Sequence, residues 1–307
     1  MPNLFTITGN LLAETTSNFE FPKEGDTVRA IGKSTFQVGG KGVNVAKAYF
    51  KITKKKPIAI IFPAGFNGAK CVKWLENSSF CDVKAFQIKG ETRIGLVCQN
   101  NRKNLQTTFL GEDVKVDSKS FQNSIEFLKK EAKKGDFIAL CGSFPNWTTN
   151  FAKKLSKLAR TKNLNLCVDS YGKPLECLSK EKIFLLKINK KEFLQTFKYT
   201  SLTAFNLSSV AEKIKAKHIV ITDSKNKTYY YTNGETSALK TPKILKEISA
   251  TGCGDVMFAS LIAEITKSNN FEVALKKSVA RASASAEIIE TASWLIKRAK
   301  ELFKQIS

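Results

Sequence analysis

From about residue 57 onward the chain alternates short apolar runs with amphipathic helical patterns, and that alternation leaves few folds open to it. The runs "PIAIIF", "VKAFQI", "DFIALCG", "LNLCVDS", "IFLLKI", "HIVITD" and "KTYYYT" read as strands. Helical patterns fall between them, at 67–77, 118–134, 149–161 and 208–215. Strands alternating with helices build a parallel sheet covered on both faces. At 307 residues the chain is long enough to bury a large α/β core. Two segments break the rhythm. Residues 10–38 and 91–110 show polar period-two alternation, as in "ETRIGLVCQNNRKNLQTTF", and are expected to form a small projecting sheet. Such a sheet leaves a face and edges bare until a ligand or a second subunit meets it.

Composition removes several classes of function. No segment approaches the ~20 apolar residues of a membrane span. The start "MPNLFTITGN" has neither the basic residues nor the apolar stretch of a signal peptide, so a cytoplasmic location away from membranes is expected. The 7 cysteines are odd in number and show no C-x-x-C spacing, which points to reduced thiols rather than disulfides or zinc. The single histidine, His218 in "KHIVIT", reads as structural, and its solitude excludes histidine triads and multi-histidine metal sites. The net charge of +23 is spread through "KITKKKP", "KKEAKKG" and "KINKKEF". A nucleic-acid binder would gather such charge on one arm or helix beside aromatic residues. A lysine-rich solvated surface with a general attraction for anions is the expected reading.

Four stretches carry the chemistry. In "SATGCGDVMFAS", at 249–260, two glycines flank Cys253, then Asp255 opens an apolar run. Asp255 is either a helix cap, with the glycines a mere turn, or the rim of an anion site. In the second case backbone N–H groups and the helix dipole hold a phosphoryl group, and the carboxylate takes a proton from an attacking hydroxyl. In "QVGGKGVNVAKAYF", Gly39, Gly40 and Gly42 precede a helix with Lys41 and Asn44 among them, a start suited to a polar anionic ligand. "LCGSFPNW" is a strand ending in Gly-Ser. "LLKINKKEF" places Lys187, Asn189 and Glu192 past a strand end, where they either organise metal-bound water around phosphates or simply cap a helix.

Together these stretches resemble the PfkB (ribokinase-like) family of carbohydrate kinases, in its 1-phosphofructokinase and tagatose-6-phosphate kinase branch. "GGKGVNVAKA" is similar to the family's first signature and "GCGD" to its second. "GFNG" at 65–68, "ETRI" at 91–94, "GSFP" at 142–145 and Asn189-x-x-Glu192 follow in family order. The resemblance implies a three-layer α/β/α ribokinase-like domain over 1–307, with a mostly parallel central sheet. A small β lid would come from about 11–38 and 91–110 and clasp a second subunit in a homodimer. It implies ATP and Mg²⁺ as cofactors. Asp255 would be the base, and the amides of Gly252, Cys253 and Gly254 would hold the transferring phosphoryl group. Asn189 and Glu192 would serve the metal through water, with Lys187 near the phosphates. Gly39, Gly40 and Asn44 would bind sugar hydroxyls, and Arg29, Lys41, Arg93 and Ser143 the phosphate already on the substrate. Arg93 is expected on a lid strand, with Thr92 and Ile94 on the opposite face.

The chain departs from the family in places. "TGNLLAE" puts Glu14 where the family has an aspartate that grips hydroxyls. "TDSKNK", with Thr222, Ser224 and Lys227 at the nucleotide, lacks two glycines of the family pattern. Cys253 and Val256 stand for the more common alanine and serine. The expected activity is ATP-dependent phosphorylation of a ketohexose phosphate, fructose 1-phosphate or tagatose 6-phosphate, to the bisphosphate. The alternatives are a kinase of an unphosphorylated sugar or nucleoside, or a catalytically weak sugar-phosphate or nucleic-acid binding protein.

Overall fold

The computed structural model describes residues 2–20, 24–100, 105–178, 182–267 and 270–306. In chain order the elements are β1 (Leu4–Thr8), β2 (Leu12–Asn18), β3 (Thr35–Gly39), α1 (Lys41–Thr53), β4 (Ile58–Ile61), α2 (Gly65–Glu76), β5 (Asp82–Ala85), β6 (Ile94–Asn100) and β7 (Leu105–Leu110). There follow α3 (Ser118–Glu131), β8 (Phe137–Cys141), α4 (Thr149–Thr161), β9 (Asn165–Asp169), α5 (Lys173–Leu178), β10 (Leu185–Asn189), α6 (Lys190–Phe197) and α7 (Ala204–Lys213). The last are β11 (His218–Asp223), β12 (Lys227–Thr232), β13 (Glu235–Lys240), α8 (Cys253–Ile265), α9 (Phe271–Ser285) and α10 (Ile296–Phe303).

Nine strands form one sheet in the order β13-β12-β11-β10-β9-β8-β1-β4-β5. All its pairings are parallel except β11 with β12 and β12 with β13. β1 lies near the middle, Phe5 being flanked by Ile58 and Ile138. In β8 the buried side chains alternate strictly between the two faces. Ile138 and Leu140 join one core cluster with Phe121, Phe151 and Leu155 of α3 and α4. Phe137, Ala139 and Cys141 join another with Val45 of α1 and Phe258 of α8. A strand packed on both faces has to be apolar throughout, as this one is. The three-layer α/β/α architecture with a mostly parallel sheet is therefore present.

The smaller sheet has the order β3-β2-β6-β7. On it Ile94, Leu96, Leu105, Phe109 and Leu110 are exposed apolar side chains. Some expected elements differ in extent. The strand expected at "VKAFQI" ends at Ala85, and Ile88 makes only an isolated bridge to Ala64. The helix expected at 208–215 begins at Ala204, because the Thr203 hydroxyl accepts the Asn206 N–H and caps it there. β1 and β13 were not anticipated. β1 lies ahead of the alternating pattern, and β13 is a mostly exposed edge strand with little apolar signal. Among the described residues no helix is long and apolar enough to cross a membrane. All 7 cysteines are free, and His218 packs flat on Phe271 with its Nδ1 2.8 Å from the Thr232 hydroxyl.

Candidate active site

The carboxyl ends of β8, β9, β10 and β11 lie along one rim of the large sheet, and the first turns of α1 and α8 open against it. Both helices depend on glycine there. A side chain at Gly42 would run into Thr8 of β1, and one at Gly40, with φ +118°, would meet the Thr8 methyl at 2.7 Å. At Gly252, where φ is +81°, a Cβ would stand 2.8 Å from the Ala292 backbone nitrogen. Gly252 is the N-cap of α8, so Asp255 is not a cap: it sits inside the first turn, buried.

Asp255 receives the Asn44 amide at 2.7 Å. Burial, and then the nearby Asp169 carboxylate, push its carboxyl up to about 6 against the pull of Lys41, Asn44 and Lys187. Asp169 is itself fully buried and bridges two ammonium groups, Lys41 at 2.9 Å and Lys187 at 3.1 Å. Burial would raise its carboxyl, but Lys187 and Lys41 hold it below the ordinary carboxylate range. Lys41 is turned toward this cluster, with Glu192 at 3.7 Å on its other side. Desolvation works against its charge, but Asp169, Glu192 and Asp255 keep the ammonium firmly protonated.

Lys187 lies directly under the glycine loop, where a Cβ at Gly254 would come within 2.6 Å of its Nζ. First-turn amides have no acceptor inside a helix. Of these, the Cys253 N–H reaches the Ala250 carbonyl at 3.4 Å, leaving those of Gly254 and Asp255 to face a ligand. Asn189 and Glu192 form a reciprocal capping box at the start of α6. The Glu192 N–H donates to Asn189 Oδ1 at 2.8 Å and the Asn189 N–H to Glu192 Oε2 at 2.9 Å. The second carboxylate oxygen of Glu192 is the one that faces Lys41.

A second group of polar residues gathers beside this one. Arg93 pairs with Asp113 at 2.9 Å, and Asn10 donates to Asp113 at 2.8 Å and to the Ser143 hydroxyl at 3.0 Å. Among the described residues the side-chain oxygen Oδ1 of Asn10 and Nε of Arg93 are buried without a hydrogen-bond partner. Buried polar atoms of this kind are costly unless a ligand meets them. Contrary to expectation, Arg93 precedes β6 rather than lying within it. Thr92 is buried and Ile94 exposed, so the two do not share a face, because the Thr92 hydroxyl accepts the Ala64 N–H and ties the chain inward. Glu91 accepts the N–H groups of Phe66 and Asn67, so "ETRI" and "GFNG" are in contact and together present Arg93. Glu14 on β2 accepts from Gln37 of β3, and Gly39 lies against Leu12 and Glu14. Arg29 is exposed in the connection between β2 and β3.

Next to Gly254 opens a cavity of about 220 Å³ lined by Thr222, Ser224, Lys225, Cys253, Met257 and Val279, among others. Ser224 takes φ +50°, doing with a side chain what a glycine does more cheaply. Lys227 does not line this cavity; it is exposed on β12 opposite Lys240, and Lys225 occupies the rim instead. Above the loop, Gln106 of β7 reaches the Thr251 hydroxyl at 3.3 Å, so the smaller sheet touches the start of α8. Sequence reasoning missed Asn10, Asp113 and Asp169. Asp169 had a signal, since it is a lone carboxylate at the end of the apolar run "LNLCVDS".

A buried carboxylate of raised pKa beside an open helix start and paired lysines is the equipment of a phosphotransferase. The model of the pfkB family of carbohydrate kinases matches residues 8–296, and the chain belongs to that family. It is similar to the 1-phosphofructokinase of Bacillus subtilis (strain 168), at 24% identity over 85% of this chain and 86% of that protein. It is equally similar, at 24% identity over 92% of this chain and 91% of the other, to a tagatose-6-phosphate kinase of Staphylococcus epidermidis. Among solved structures, phosphofructokinase-2 from Escherichia coli in complex with potassium superposes with a TM-score of 0.88 at 20% identity, covering 99% of both chains. The ribokinase-like architecture and the status of an ATP-dependent carbohydrate kinase follow.

Proposed function

We propose that this kinase transfers the terminal phosphoryl group of ATP to a ketohexose phosphate, fructose 1-phosphate or tagatose 6-phosphate, giving the bisphosphate. The observation that carries this reading is Asp255: buried, held by Asn44, raised to about 6 and set in the first turn behind Gly252. Its carboxylate accepts the proton of the attacking sugar hydroxyl as that oxygen bonds to phosphorus and ADP departs. The amides of Gly254 and Asp255, with Lys187 beneath them, receive the negative charge of the moving phosphoryl group. ATP lies in the cavity along Thr222, Ser224 and Lys225. A magnesium ion usually keeps several waters and is held largely by the phosphates. The Glu192 oxygen that the cap leaves over, and the remaining lone pair of the one Asn189 side-chain oxygen, fit such an ion through water, where it would neutralise phosphate charge. The whole chain acts as one kinase domain whose lid, the smaller sheet, pairs with that of a second copy. Free thiols throughout suit a cytoplasmic enzyme.

The names of the relatives and the unpartnered Nε of Arg93 support a phosphorylated acceptor. One observation favours an unphosphorylated sugar instead: Asp113 already neutralises the Arg93 guanidinium. A kinase assay across a panel of sugars and sugar phosphates tests both. Turnover confined to unphosphorylated sugars would overturn the first reading.

A further inference from the structure

The large sheet also has a ligand-sized cavity at its other end. About 560 Å³ in volume, it is lined by Ser156, Arg160, Lys182, Phe184, Lys215 and Lys217, among others. Asn165, Phe184 and Lys217 stand where β9, β10 and β11 begin, whereas Asp169, Asn189 and Thr222 stand near where they end. At about 3.3 Å per residue the two sites are roughly 15 Å apart through the sheet. The volume is that of a small-molecule pocket.

Four cations converge on this cavity, Arg160, Lys182, Lys215 and Lys217, and among the described residues no carboxylate lines it. None of the four forms an ion pair among the described residues, whereas Lys41, Lys47, Lys187, Lys277 and Arg281 all do. A helix C-terminus attracts basic side chains, which accounts for Arg160 in the last turn of α4. It does not account for Lys182 and Lys217, which stand on the approaches to β10 and β11. Ser156 is the second observation. It is 4% exposed, lines the cavity, and its hydroxyl is buried with no hydrogen-bond partner among the described residues. Lys217 lies over the Phe184 ring at 5.3 Å, so this cation rests against another residue of the cavity lining.

We propose that this cavity is a binding site for a small anion carrying at least two phosphoryl groups. Like charges held around one concavity repel each other until an anion neutralises them, and four cations are balanced more nearly by two phosphoryl groups than by one. Among the lining residues Ser156 offers a neutral hydroxyl donor that has no partner of its own among the described residues. Pyrophosphate, a nucleoside diphosphate and a sugar bisphosphate share this chemistry, and all three are small enough for the cavity.

The test is amide hydrogen exchange on the full chain with pyrophosphate, ADP, fructose 1,6-bisphosphate or inorganic phosphate. Slowed exchange at 156–166 and 215–218 is expected with at least one of the first three. Inorganic phosphate should require a concentration about tenfold or more higher. Which of the three protects best identifies the source of the phosphoryl groups. Replacing Lys215→Glu together with Lys217→Glu should weaken that protection about tenfold or more while leaving kcat and the KM for ATP unchanged. Ser156→Ala should weaken it less and keep the fold. As a control for general charge, Lys297→Glu with Lys300→Glu on α10 should leave the protection intact. Protection confined to the Gly252–Asp255 region, or lost equally in the control variant, would overturn the proposal. So would protection by a single-stranded oligonucleotide alone, which would make the patch a nucleic-acid surface.

Discussion

The side-chain amide of Asn44 donates to Asp255 Oδ2 across 2.7 Å, and so joins the first turn of α1 to the first turn of α8. The two residues are 211 positions apart in the chain. Together they set when the base is ionised, since a hydrogen bond to a carboxylate favours its charged form. Asn44→Ala should therefore move the acidic limb of the kcat/KM profile upward by about one pH unit, the worth of one charged hydrogen bond. An unmoved limb would mean that Asn44 serves the substrate alone.

For Asp255→Asn, turnover should fall by ~10²–10⁴, the usual contribution of a positioned base. Stability should move the other way. The native carboxyl binds its proton more tightly than the unfolded one, about 6 against 3.8, so stability is lost as pH rises through that window. Asparagine carries no charge to bury. Its melting temperature should exceed that of the wild type at pH 8 and converge with it near pH 4. A variant that was both less active and less stable at pH 8 would argue for a structural Asp255.

Arg93→Ala should raise the KM for a phosphosugar roughly thirty-fold or more, because truncating a sheltered charge-assisted pair costs on the order of 2–5 kcal/mol. The KM for ATP should stay put. Asp113→Asn releases the guanidinium and should lower the phosphosugar KM. Steady-state kinetics in which neither substitution shifts that constant would leave Arg93 as a partner of Asp113 and nothing more.

Gly252 and Gly254 should fail differently. Alanine at Gly252 must hold φ +81° at about 1–2 kcal/mol, and it also meets the Ala292 backbone. Its melting temperature should drop. At Gly254 the obstacle is the flexible end of Lys187, which can swing aside. Gly254→Ala should melt normally and lose turnover. Equal loss of melting temperature in both would contradict this division.

The smaller sheet predicts an assembly. Phe109 is 60% exposed on β7, whose residues all face solvent, and apolar surface of this kind marks an interface. Phe109→Glu should convert a dimer into a monomer in light scattering. A wild type that is monomeric at every concentration would remove the lid interface from the reading.

Much of this arrangement was legible in the sequence, for physical reasons. The period-two and helical patterns are local, so β4, the two lid segments, β8 to β12 and the starts of α3 and α4 could be read from the alternation of apolar and polar residues. Asp255, Asn44 and Lys187 were visible because glycines or strand ends flagged them. Asp169 carries the same strand-end mark but, like Asp113, takes its meaning from a partner far along the chain: Lys41 at a separation of 128 residues and Asn10 at 103. The place of Arg93 was misjudged because alternation was read through Thr92, whose hydroxyl hydrogen bond with the Ala64 backbone N–H fixes the chain more strongly than its pattern does.

The capping box at Asn189 and Glu192 commits two proposed metal-water residues to fastening a helix as well. Glu192 has one oxygen for the cap and one toward Lys41, whereas the single side-chain oxygen of Asn189 has to serve the cap and the chemistry both. A substitution at either position therefore reports on both at once, and lost activity there cannot by itself be attributed to the metal. Drift is constrained in the same way. Aspartate could keep the cap at 189 but would bring a new charge to the phosphates, and glutamine could keep the cap at 192 but would give up the charge that faces Lys41. The pair can change only where both duties change together.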